Sequence, residues 1–180
     1  MIVRATAIPD VKIIEPKVFG DERGFFLESF NKRNFAAAGI DGEFVQDNHS
    51  RSARNVLRGL HYQIKQPQGK LVRVIAGEVL DVAVDLRRSS ATFGRSITCV
   101  LSAANRQMAW VPPGFAHGFL VLSEIAEFVY KTTNYYAPEH ERSLLWNDPQ
   151  LEIAWGLQSE PILSAKDRAG LRLADAEVFD

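Results

Sequence analysis

The sequence predicts an all-β protein, an antiparallel sandwich or jelly-roll barrel with a few short peripheral helices. Three observations predict it. Short apolar and β-branched runs recur at turn-sized intervals through residues 70–136. Within one of them Leu80, Val82, Val84 and Leu86 alternate with Asp81, Ala83 and Asp85, the period of two of a strand with one buried face. No helical segment alternates with these strands, so a parallel βαβ architecture does not fit.

In chain order, Val11–Ile14 is a short strand candidate. It is followed by VFGDERGFFLESF (18–30), where Gly20 and Gly24 bracket a polar turn carrying Arg23, with Glu28 on the strand beyond. Residues 31–38 read as a short peripheral helix, with Asn31 as N-cap and Gly39 placed to end it. FVQDN (44–48) is followed by the polar HSRSARN (49–55), which reads as a loop between strands; Gln46, Asp47 and Asn48 are either turn formers, the reading sequence alone favours, or hydrogen-bonding groups for a ligand. Gly77 and Glu78 mark a turn, residues 95–101 alternate again, and Asn105 and Arg106 make another turn. Residues 108–111 lead into PPGFAHGFLVL, whose prolines and glycines predict a tight corner. EFVYKTTNYY (127–136), rich in aromatic and β-branched residues, reads as a strand. In the tail, Ser164 with Asp167 three residues on resembles a helix cap, although Asp167 could equally orient an imidazole.

At 180 residues the chain fits one domain, 1–180, with no repeat, low-complexity segment or linker to divide it. A net charge of −1 argues against a general nucleic-acid binder, which needs a basic face. The start lacks the apolar core of a secretion signal and no apolar run is long enough to cross a bilayer, so a cytoplasmic, soluble protein without membrane attachment is expected. The single cysteine, Cys99, cannot make an intrachain disulfide and reads as a small core residue.

The stretch that carries chemistry is VLRGLHYQIKQPQGK (56–70), where His61 stands three residues after Arg58 and nine before Lys70. Histidine changes charge near neutral pH, arginine can clamp a phosphate or carboxylate, and lysine can stabilise a forming oxyanion. A base, an anion clamp and an electrophile fit proton abstraction beside a carbonyl. The ordinary alternative is a sheet-packing histidine flanked by surface cations. Strict alternation would put Arg58 and His61 on opposite sheet faces. Gly59 between them predicts a bulge or kink that restores a common direction.

Taken together, FGDERGFFLESF, FVQDNHS, VLRGLH, QGKLVR, DVAVDLR, PPGFAHGF, FVYKTTNYY, LLWNDP and LSAKD resemble the dTDP-4-dehydrorhamnose 3,5-epimerase family over nearly the whole chain. The resemblance implies a cupin-like jelly roll that works as a homodimer, without metal or other cofactor, on a dTDP-linked 4-keto-6-deoxy sugar. By position in those motifs, His61 would be the base, Tyr130 the acid, Asp167 the partner of His61, and Lys70 the group facing the ketone oxygen. Arg58, His117, Gln46, Asp47, Asn48, Glu141 and Lys166 match ligand-contact positions. Arg23 and Glu28 match contacts with the nucleotide end, supplied across the dimer. Tyr62 stands where many relatives are expected to have phenylalanine.

Other readings differ in class. A metal-dependent cupin enzyme would need a histidine cluster, but His61, Tyr62 and Gln63 do not form one, and His49, His117 and His140 show no HxH or HExxH spacing. A non-catalytic sugar-binding jelly roll would require neither His61 nor Tyr130. Within the family, the runner-up is an epimerase acting at C3 only.

Overall fold

The computed structural model describes residues 1–180. The strands are Ile2–Ala5 (β1), Lys12–Glu15 (β2), Val18–Asp21 (β3) and Gly24–Leu27 (β4), and then, after the helix Lys32–Ala37 (α1), Gln46–Ala53 (β5), Leu57–Gln63 (β6), Lys70–Ala76 (β7) and Glu78–Asp85 (β8). Ser96–Ser102 (β9), Met108–Val111 (β10), Phe115–Val121 (β11), Ile125–Thr132 (β12) and Glu141–Ser143 (β13) follow, with a second short helix, Ala165–Arg168 (α2), near the end. All strand pairs are antiparallel, in a six-stranded sheet ordered β1-β2-β10-β7-β12-β5 and a five-stranded sheet ordered β13-β6-β11-β8-β9. This is the cupin-like jelly roll expected, with β3 and β4 standing apart as a hairpin.

Three apolar layers hold it. Val72, Val74, Phe119, Val121 and Phe128 fill the space between the sheets. Outside the six-stranded sheet, Leu71, Met108 and Trp110 meet Phe35 of α1 and Ile40. Outside the five-stranded sheet, Leu57, Leu60, Tyr62, Val82 and Val84 are covered by Leu144, Trp155, Leu173 and Ala176 from the tail. Both sheets are therefore sandwiched rather than half solvated.

That arrangement corrects the reading of β8. The period of two is present, but the face carrying Asp81, Ala83 and Asp85 is also buried, because it lines the interior between the sheets. The two aspartates are tolerated there because each is paired. Asp81 lies 2.9 Å from Nε2 of His117, while Asp85 accepts from the Arg87 guanidinium, Ser90 and Thr92. These donors outweigh desolvation and push Asp85 down to about 2.

Residues 46–53 are a second correction: they form strand β5, not a loop, and Gln46, Asp47 and Asn48 are not turn formers. Every residue from Gln46 to Ala53 pairs with β12, and that ladder outweighs the weak strand preference of Asp, Asn and Ser. The PPGFAHGFLVL corner is confined to Pro112–Gly114, after which all of β11 is buried strand. β12 ends at Thr132, so residues 133–136 leave the sheet. The helix expectation holds: Asn31 accepts from the Asn34 N–H, and Gly39 takes the left-handed conformation, φ +72°, just past the end.

The bulge expected around Gly59 is present. Between His61 and Arg58, β6 spends three residues while β11 spends two, from His117 to Phe119. Leu57, Leu60 and Tyr62 consequently face the tail core together, and Arg58 and His61 are released to the other side. Gly59 has φ +115°, and a Cβ there would stand 2.6 Å from Cα of Gly118 and 2.7 Å from the His117 carbonyl. Only glycine fits so close a backbone approach.

Candidate active site

Between the two sheets a cavity of about 770 Å³ opens to solvent. Strand alternation and the β6 bulge place its polar lining: Gln46 and Asn48 from β5, Arg58 and His61 from β6, Lys70 from β7, His117 from β11, Tyr130 from β12, Glu141 from β13, and Lys166 and Asp167 from α2.

Its centre is a histidine–carboxylate pair. Nε2 of His61 lies 2.5 Å from Oδ1 of Asp167, whose side chain is almost wholly buried while the imidazole keeps 22% exposure toward the cavity. An N–H donated from Nε2 fixes the tautomer and leaves Nδ1 as the nitrogen able to take a proton. Asp167 is itself held from several sides. Oδ1 also accepts from the Gly59 N–H at 3.3 Å, Oδ2 accepts from the Ser164 hydroxyl at 2.6 Å, and the Asp167 N–H donates to Ser164 Oγ at 3.1 Å. Burial alone would raise the pKa of this carboxyl, but the bonds from His61 and Ser164 outweigh it and keep the group below the usual carboxylate range. The capping and imidazole-orienting readings of Asp167 are thus both met by one residue.

Lys70 projects from the first position of β7, with Nζ 3.4 Å from the His61 carbonyl. Burial pushes its ammonium down to about 8, against the opposing pull of Glu141 and Asp81. Tyr130 shares a face of β12 with Phe128, their rings 6.1 Å apart, and burial aided by the nearby Glu141 carboxylate raises its phenol above the ordinary value. The hydroxyl therefore stays protonated at neutral pH. His117 pairs with buried Asp81, and on the adjacent strand its Cα stands in register with that of His61. Arg58 donates from Nε to Ser52 Oγ at 3.0 Å.

At the mouth, Lys166 donates to Glu141 at 2.8 Å and the Tyr136 hydroxyl donates to the other Glu141 oxygen at 3.0 Å. Gln46 accepts from the Tyr136 N–H and donates to Asn48. These bonds link β5, the segment after β12, β13 and α2 around one opening.

Three expected residues lie elsewhere. Asp47 is turned outward by alternation along β5, where it is exposed and accepts from Lys131 at 2.8 Å. Arg23 sits on the β3–β4 hairpin with its side chain 85% exposed, bonded to Asp21, and exposed Glu28 accepts from the Asn31 and Asn34 side chains. Neither lines this chain's own cavity. Conversely, the sequence does not single out Asp81 as the partner of His117, Ser52 as the partner of Arg58, or Tyr136, and the capping pair Ser164 and Asp167 makes a further bond, from the Ser164 hydroxyl to the carboxylate. For Asp81 a signal exists, an acid between Leu80 and Val82 in a strand otherwise rich in Val and Ala. For Ser52 there is none, because nothing in the polar composition of residues 49–55 marks a strand. No three His, Cys, Asp or Glu side chains come together as a metal ion would need. Tyr62 points away from the cavity and donates its hydroxyl to the Glu177 carbonyl in the tail core.

Residues 5–175 match the family model described as dTDP-4-dehydrorhamnose 3,5-epimerase. The chain belongs to that epimerase family. A dTDP-4-dehydrorhamnose 3,5-epimerase of Pseudomonas aeruginosa is 65% identical over 174 residues, covering 96% of each chain. Among solved structures, the dTDP-6-deoxy-D-glucose-3,5-epimerase of Legionella pneumophila, in complex with dTDP-4-keto-L-rhamnose, superposes with TM-score 0.95 at 54% identity, covering 97% of this chain and 94% of that one. A 3'-monoepimerase from Streptomyces bikiniensis in complex with dTDP-quinovose also superposes, with TM-score 0.89 at 36% identity and coverage of 94% and 87%. The same fold therefore serves enzymes acting at one or at two carbons.

Proposed function

We propose that this chain epimerises C3 and C5 of dTDP-4-dehydro-6-deoxy-glucose to give dTDP-4-dehydro-rhamnose, a step of dTDP-rhamnose biosynthesis. The observation that carries the reading is the convergence in one cavity of an oriented imidazole, a buried ammonium and a protonated phenol. The higher identity to a 3,5-epimerase than to a 3'-monoepimerase supports action at both carbons.

The chemistry follows from the 4-ketone. Either carbanion, at C3 or at C5, delocalises onto the same carbonyl oxygen, so one electrophile serves both centres. His61 takes the proton, and Asp167 stabilises the imidazolium formed. Lys70 meets the enolate oxygen as charge develops. Tyr130 returns a proton from the opposite face, since a single group on one face would only restore the configuration it removed. Arg58, His117, Gln46, Asn48, Glu141 and Lys166 hold the diphosphate and sugar. Lys70 supplies the electrophilic function, so no metal or other cofactor is required.

Residues 1–180 act as one unit, in the cytoplasm where a nucleotide sugar is assembled. No helix is long and apolar enough to cross a membrane. The chain works as a homodimer: its β3–β4 hairpin exposes Phe19, Phe25 and Phe26 as well as Arg23, an apolar and cationic arm suited to a partner's nucleotide end.

Incubation with dTDP-4-dehydro-6-deoxy-glucose in heavy water, followed by NMR, tests the function. The expected product is inverted at both carbons, with solvent deuterium at C3 and C5. Inversion and label confined to C3 would make it a C3-only epimerase, and no exchange at either carbon would leave a binding protein.

A further inference from the structure

Each oxygen of the Asp167 carboxylate has its own assignment: Oδ1 to His61 and the Gly59 N–H, Oδ2 to the Ser164 hydroxyl. Ser164 meets the same residue twice, because its Oγ also accepts the Asp167 N–H as the N-cap of α2. One side chain therefore fixes both the backbone that carries the carboxylate and the rotation of the carboxylate about its own bond. We propose that Ser164 is a positioning residue for catalysis, acting through Asp167 on the orientation and basicity of His61.

A four-residue helix has almost no stability of its own, so the direction of Asp167 depends on what ties α2 down. Lys166 on the same turn is tied to Glu141 at the cavity mouth, but that bond leaves the Asp167 side chain free to rotate. The Ser164 hydroxyl removes that freedom, because only one carboxylate rotamer gives a 2.6 Å bond on Oδ2 and a 2.5 Å bond on Oδ1 together. The hydroxyl proton also takes up part of the carboxylate's charge. Less charge then faces His61, and the imidazolium is less favoured than it would be beside an uncompensated carboxylate.

This inference rests on His61 being the base, and substitutions separate the two claims. Ser164→Gly is a well-tolerated N-cap but has no hydroxyl. Ser164→Thr keeps the hydroxyl. For Ser164→Gly, NMR titration of the His61 ring should show its midpoint displaced upward, the acid limb of kcat/KM should move the same way, and kcat should fall roughly 10- to 100-fold at unchanged KM, as for a small misplacement of a catalytic group. Ser164→Thr should restore the titration midpoint and most of kcat. If Ser164→Gly leaves the His61 midpoint and kcat unaltered, or if Thr and Gly lose activity alike in step with lowered melting temperature, Ser164 is only a helix cap. The ring titration reads the dyad directly, whatever the reaction. Should His61→Asn retain exchange, the base assignment fails instead, independently of the Ser164 result.

Discussion

At the residue scale, Lys70 is the group whose charge state the mechanism depends on most. Desolvation favours the neutral amine, and the sign is explicit: the ammonium needed against the enolate oxygen is present below about pH 8 and lost above it. The free-enzyme rate kcat/KM should therefore fall through an alkaline limb near pH 8, and Lys70→Arg, which cannot deprotonate in that range, should lack that limb whatever its absolute rate. A limb that persists in Lys70→Arg would assign the titration to another group. Asp167 has the opposite consequence. A carboxylate held below its ordinary range stabilises the fold above the ordinary carboxylate pKa, and loses that contribution as pH falls through the lowered value. Asp167→Asn keeps the shape but removes the charge that stabilises the imidazolium, and a fall in kcat of about 10²-fold or more is expected. Legibility was uneven at this scale. His61, Lys70 and Arg58 were conspicuous as a cluster in sequence, whereas Asp167 is 106 residues from His61 and only the fold makes them neighbours.

At the scale of elements, the bulge in β6 is the device that lets Arg58 and His61 line one cavity, as the proposed catalytic site requires. It was legible because Arg58 and His61 can share a face only if the strand between them is irregular, and Gly59 is the residue type that permits it. Gly59→Ala should fail twice over, since φ +115° disfavours a side chain and the added Cβ meets backbone on β11 rather than a movable side chain. A loss of roughly 1–3 kcal/mol from the backbone conformation alone is expected, seen as a lower denaturant midpoint. Unchanged stability would mean that the register relaxes without the bulge. Strand β5 shows the opposite limit. Its Asp, Asn, His, Ser and Arg residues carry no strand signal, and only the ladder to β12 makes it one. Once it is a strand, alternation alone decides that Gln46 and Asn48 face the cavity and Asp47 does not. The second face of β8 is buried for a related reason: a polar alternation marks solvent only when nothing inside the protein answers the charges, and His117 and Arg87 answer both.

At the scale of the molecule, two covered sheets enclose a cavity that neither Arg23 nor Glu28 lines, and the proposed homodimer would bring a partner's hairpin to it. Arg23 and the hairpin phenylalanines are exposed, and burying them against a second copy gives a reason for their composition. Sedimentation should give a dimer, and Phe25→Ser with Phe26→Ser should weaken it. Arg23→Ala should raise KM for the nucleotide sugar by roughly 10-fold, the size of one charge-assisted hydrogen bond, with little change in kcat. An active monomer with parental KM would sink the shared-site account. The jelly roll was legible from recurring strands and corners, but how its two sheets stack was not, because that follows from which faces the tail and α1 cover.

The central claim is that proton removal and proton return come from different faces of the sugar, and Tyr130→Phe measures it most directly. The substitution keeps the ring packed against Phe128 and removes only the hydroxyl. In heavy water, with deuterium exchange and inversion followed together by NMR, the variant should still exchange the proton that His61 removes, while inverted product falls by roughly 10²- to 10⁴-fold. His61→Asn should lose both. Inversion at the parent rate in Tyr130→Phe would contradict the account and leave the phenol a packing group.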